Sequence, residues 1–100
     1  MNNFSSTTTL CIPKVSTSLT ESKLRLIIDS TLLGSVYYYK EIPWKFNRAY
    51  KRILFTMNWN PTHECYTEFT ERLNHNNSIQ IIDYPDVYFI YKFKPSYKFH

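Results

Sequence analysis

The stretch Arg48-Ala49-Tyr50-Lys51-Arg52-Ile53-Leu54-Phe55-Thr56-Met57-Asn58 decides the fold. It reads as a strand, and side chains alternate across a strand with period 2. The odd positions Lys51, Ile53, Phe55 and Met57 are mostly apolar, and 53, 55 and 57 are the expected core. The even positions Tyr50, Arg52, Leu54 and Thr56 then face the other way.

Working outward, Val36 to Ile42 is rich in Tyr and reads as the strand before it, joined through Pro43-Trp44-Lys45-Phe46-Asn47. Asn60-Pro61 pairs an N-cap residue with proline at the first helical position. Cys65, Phe69 and Leu73 follow at every fourth residue, which predicts an amphipathic helix over 61–74. Ile79 to Ile82 is a short strand, Asp83-Tyr84-Pro85-Asp86 a turn, and Val87 to Lys94 a final strand. Toward the start, Leu10 to Val15 is a strand with Pro13 near its end. Thr20 caps a helix over 20–33 whose apolar face is Leu24, Ile27, Ile28 and Leu32. Gly34 is the expected left-handed residue past its end. Residues 1–8 form an arm and 95–100 a basic, aromatic tail around a domain at 9–94.

The order is β-α-β-β-α-β, with one small extra strand before the last. That order predicts an α+β, ferredoxin-like sandwich: a four-stranded antiparallel sheet with two helices on one face. The other face stays open.

One hundred residues leave room for a single domain. The chain is 43% hydrophobic with a mean hydropathy of −0.41, which suits a globular protein rather than a disordered one. Gly34 is the single glycine, so glycine-rich phosphate loops are excluded. No apolar run approaches the ~20 residues of a membrane span. MNNFSSTTT has neither a basic nor an apolar leader region, so secretion is not expected. Cys11 and Cys65 are too few for a disulfide framework and read as free thiols, mostly buried. With His63, Glu64 and His75 they match no zinc spacing. No nucleophile has a recognisable base and orienting acid, so neither a catalytic site nor a cofactor is expected.

The net charge is +4, which leans toward anionic partners. Lys40, Lys45, Arg48, Lys51 and Arg52 face only Glu41 within residues 40–52. Lys92, Lys94 and Lys98 interleave with Phe93, Tyr97 and Phe99. A basic face with aromatics is the footprint of single-strand binding. The alternative is that the rings fill a pleated surface and the charges are solvated. Taking Val36, Tyr37 and Tyr39 inward leaves Tyr38 and Lys40 on the open face. On the last strand, taking Phe89, Tyr91 and Phe93 inward leaves Tyr88, Ile90, Lys92 and Lys94 outward, although both sets are largely apolar.

These residues resemble the RNA recognition motif (RRM). Arg48, Tyr50, Ile53 and Phe55 match its third-strand motif, while Lys51 and Arg52 depart from it. Leu10-Cys11-Ile12-Pro13-Lys14-Val15 keeps the aliphatic frame of the first-strand motif, with Cys11 where the stacking aromatic stands. Cys11-Ile12-Pro13-Lys14-Val15, Lys45-Phe46-Asn47-Arg48 and the turn near Pro85 are similar to small RRM-like proteins of large DNA viruses of eukaryotes. The resemblance implies weak single-stranded RNA binding through Tyr50, Arg52, Arg48, Tyr38, Lys40 and Lys92. It implies a setting in host cytoplasm, a viral factory or a virion. The lost aromatic at Cys11 equally suits a protein-interaction or structural module using the same face, and a homodimer is among the expected forms.

Overall fold

The computed structural model describes residues 7–94. The elements are β1 (Thr7–Ser16), α1 (Glu21–Thr31), β2 (Gly34–Pro43), β3 (Tyr50–Trp59), α2 (Tyr66–Asn74), β4 (Ile79–Asp83) and β5 (Asp86–Lys92). The chain is α+β, with one antiparallel sheet and two helices. The sheet has five strands rather than four, in the order β2-β3-β1-β5-β4. The short strand at 79–83 is a full member, added beyond β5 through the tight connection at Tyr84-Pro85. Thr7 and Thr8, expected in the arm, already pair with Asn58 and Met57. Residues 1–6 and the tail at 95–100 lie outside the described residues.

β3 is the frame. It pairs with β1 on one side and β2 on the other. Ile53, Phe55 and Met57 are fully buried, as their alternation predicts. They meet Leu10, Ile12 and Val15 of β1, and Leu24, Ile27 and Ile28 of α1, in one core. Burying a side chain of this size contributes about 1.5–3 kcal/mol, so this cluster outweighs any single polar contact. Bulges interrupt the ladder between Ile12 and Val15, where Pro13 cannot donate, and between Val36 and Tyr38.

Thr20 caps α1, its hydroxyl accepting from the Lys23 N–H at 3.2 Å. The helix ends earlier than 33, and the left-handed residue is Leu32 (φ 61°), not Gly34. Gly34 is needed for another reason. A Cβ there would lie 2.3 Å from the Asn58 carbonyl oxygen, because β2 starts tight against the end of β3.

α2 also begins later than 61. Asn60 instead organises a turn, its Oδ1 accepting from the N–H and hydroxyl of Thr62. β4 runs antiparallel to β3, as the successive pairings require. α2 therefore joins strands at the same end of the sheet and lies across that end. Tyr66 meets Trp59 edge-on at 5.9 Å, and Asn74 accepts from Lys92 Nζ at 2.8 Å. Its Leu73 is buried in the common core.

Lys51 continues the inward set of β3 and is only 4% exposed. Its ammonium donates to Glu41 Oε2 at 2.8 Å, and Tyr39 OH donates to the same oxygen at 2.6 Å. The bond from Lys51, then that from Tyr39, holds the Glu41 carboxyl below its usual range. Burial, then the bond to Glu41, raises the Tyr39 phenol. A carboxylate with a depressed folded-state pKa adds stability above its unfolded value, and that stability is lost as pH falls through the folded value.

Two measurements check this frame. Gly34→Ala forces β2 off Asn58 and is expected to cost about 2 kcal/mol in urea denaturation. Glu41→Gln strands the Lys51 charge and is expected to cost about 1–3 kcal/mol at pH 7, the half-exposed carboxylate tempering the loss. The gap between wild type and this variant should narrow as the pH falls below the usual carboxylate range and through the lowered value of Glu41.

Candidate functional site

The sheet face opposite the helices is not covered by any described element. Cross-strand partners define it row by row. Lys40 lies beside Leu54, Leu54 beside Cys11, and Cys11 beside Tyr91, across four strands. Tyr38, Thr56 and Thr9 form the neighbouring row, with the two threonine hydroxyls 3.4 Å apart. Ile42 and Arg52 begin the row on the other side. Tyr38, Lys40 and Arg52 are exposed on this face, as their alternation predicts.

Tyr50 is on the same face but half-buried. Its ring meets Trp44 at 5.6 Å, tilted by 52°. The β1 bulge projects Lys14 over this pair, with Nζ 4.3 Å from the Tyr50 centroid and 5.5 Å from that of Trp44. Trp44 Nε1 donates to the Pro13 carbonyl at 3.2 Å, which ties the β2–β3 connection to β1. One face of Tyr50 thus carries the protein's own cation. Arg48 sits in the turn before β3, exposed and beyond the strand itself.

The last strand is inverted relative to the expectation. Leu10 pairs with Lys92 and Cys11 with Tyr91. Leu10 is buried, so Lys92 shares the helix side with Tyr88 and Ile90, which are buried. Lys92 is accordingly engaged by Asn74 of α2 and does not belong to the open face. Phe89 and Tyr91, expected inside, stand outward at 47% and 39% exposure, with Val87 beside them. Pro13, Lys14, Val87, Phe89 and Tyr91 line a shallow hollow of about 320 Å³ between β1 and β5. Tyr37, also expected inside, is displaced outward by the β2 bulge and is exposed.

The open face therefore keeps aromatic character despite Cys11. Tyr91 lies directly across from Cys11. Burial pushes the Cys11 thiol up, with the Arg52 charge acting in the opposite direction. Cys11 and Cys65 are free and half-buried.

His63 is held by structural bonds. His63 Nδ1 accepts from the Cys65 N–H at 3.0 Å, so the proton sits on Nε2, which donates to the Thr31 carbonyl at 3.1 Å. His63 thus clips the end of α1 to the entry of α2. Among the described residues, no group of three His, Cys, Asp or Glu side chains is placed to hold a metal ion. No described helix is long and apolar enough to cross a membrane.

Comparison of the chain with protein-family models, curated proteins and solved structures finds no significant match.

Because Lys14 sits over the Tyr50–Trp44 pair, Lys14→Ala should cost about 0.5–1 kcal/mol of stability. It should also change Trp44 fluorescence. Lys14→Arg should preserve both.

Proposed function

We propose that this chain is a ferredoxin-like, RRM-like binding module that takes single-stranded RNA, weakly, across its open sheet face. The carrying observation is the grouping on one uncovered face of Tyr38, Tyr50, Phe89 and Tyr91 with Lys14, Lys40 and Arg52. Unstacked bases lie on aromatic rings, and phosphates pair with the cations between them. The strand arrangement supports the same reading. β1 and β2 run parallel with β3 between them, and β3 and β5 run parallel with β1 between them. Two interleaved split units of this kind are what the ferredoxin-like arrangement requires, with β4 an added edge.

The ring positions differ from those the RRM resemblance implies. The β5 pair Phe89 and Tyr91 stands in for the missing ring at Cys11, and Tyr50 offers one side only because Lys14 covers the other. Arg52 replaces a ring with a guanidinium, which stacks on a base or pairs with phosphate. Lys92 has no part in the proposal, being on the helix side. On the resemblance to RRM-like proteins of large DNA viruses, the setting proposed is a viral one. A protein partner is the competing occupant, favoured by the exposed Ile42 and Val87 on the same face.

Titration of a labelled single-stranded oligoribonucleotide at two salt concentrations separates the occupants. RNA binding predicts a steep loss of affinity with salt. Phe89→Ala/Tyr91→Ala is expected to lose roughly 1–3 kcal/mol per stacked base, and Tyr50→Ala/Arg52→Ala a comparable amount. Lys92→Ala should bind like wild type. No binding at low salt, or equal losses in Lys92→Ala, contradicts the proposal and favours a protein partner.

A further inference from the structure

The two edges of the sheet are unequal. β2 is protected as an edge: it is bulged between Val36 and Tyr38, ends in Pro43, carries Lys40, and gives its Val36 carbonyl to the Arg25 guanidinium. Bulges, prolines and lysines are the usual means of keeping an edge from pairing with another chain. β4, Ile79-Gln80-Ile81-Ile82-Asp83, has none of them. Its ladder partner is β5 alone. Among the described residues no other hydrogen bond reaches the backbone of 79–83. Alternate residues of this strand therefore present unpaired N–H and C=O groups. Ile82 is 64% exposed beside that edge, and an open groove of about 240 Å³, lined by Leu33, Cys65, Phe69 and Ile81 among others, runs along it.

We propose that β4 is a self-pairing edge, and that two copies of the chain join β4 to β4 in antiparallel fashion to make one ten-stranded sheet. A two-fold axis lets the same edge satisfy both rows of backbone groups at once, which a closed dimer requires. Centred on Ile81, this pairing sets Gln80 opposite Ile82 of the second copy and Ile79 opposite its Asp83. The strand's one charge, Asp83, is then never opposite itself, and it is already matched by Lys23 at 3.9 Å. Ile82 of each copy is covered beside the other's Gln80. Five residues of pairing bury less than the ~1,200 Å² of a standard stable interface, so the association is weak and concentration-dependent. It joins the two open faces side by side into one continuous surface. This inference does not depend on what that surface binds.

Sedimentation velocity across a concentration series, with hydrogen exchange on the same samples, tests it. Wild type should pass from 12.1 kDa toward twice that mass as concentration rises. Amide exchange within 79–83 should slow about tenfold in the dimer, while β2 amides stay unchanged. Ile82→Lys should remain monomeric with an unchanged circular dichroism spectrum, and Tyr37→Lys on the opposite edge should dimerise as wild type does. A wild-type chain that stays monomeric to about 1 mM overturns the inference. So does a dimer whose 79–83 amides exchange as fast as in the monomer, or an Ile82→Lys chain that still dimerises. The wild-type exchange data stand alone should the lysine variant fail to fold.

Discussion

The register of β3 against its two neighbours is the constraint on which everything else hangs. A slip of one residue would carry Ile53, Phe55 and Met57 to the solvent and put Arg52 and Leu54 against α1. The large apolar side chains forbid that slip. The same alternation that hides Phe55 exposes Arg52 and turns the half-buried Tyr50 to the same side, so core and candidate site are two faces of one decision. The pairing then propagates outward. β1 takes its register from β3, β5 takes its register from β1, and β4 from β5.

Legibility in the sequence follows how strongly each strand alternates. β3 mixes apolar and polar positions, and its facing was readable at once. The same holds for Tyr38 and Lys40, and for Thr20 as a cap. β5 defeats the pattern because Val87, Tyr88, Phe89, Ile90 and Tyr91 are apolar on both faces. Its facing is set by pairing. The signal lay one strand earlier. Gln80 between Ile79 and Ile81 marks the inward set of β4, and a two-residue turn at Tyr84-Pro85 places Ile81 opposite Tyr88 and Gln80 opposite Phe89. Tyr37 departs from its expected inward facing because no sequence pattern announces the bulge after Val36. The left-handed turn expected at Gly34 falls on Leu32 instead, and Gly34 is required by its approach to Asn58. α2 starts later than the Asn60-Pro61 signal implies because these residues form their own turn before the helix.

The composition of the open face shows a trade between packing and availability. Trp44 and Tyr50 are the rings nearest the basic connection, yet they are engaged with Lys14 and Pro13. They brace the bulged end of β1, where its pairing with β5 has already stopped. Phe89 and Tyr91 have no such duty and line the hollow left by that divergence. Cys11 lies on β1 directly across from Tyr91. The free rings on β5 border the cations Lys14 and Arg52 on the open face.

The most direct test is an NMR titration of the labelled chain with a short single-stranded oligoribonucleotide. The account predicts that the ring and backbone resonances of Tyr38, Phe89 and Tyr91 shift together, with those of Arg52 and Lys14, while Leu24, Ile28 and Leu73 stay still. Shifts centred on α1 or α2, or none on the β5 rings at saturating RNA, would contradict it.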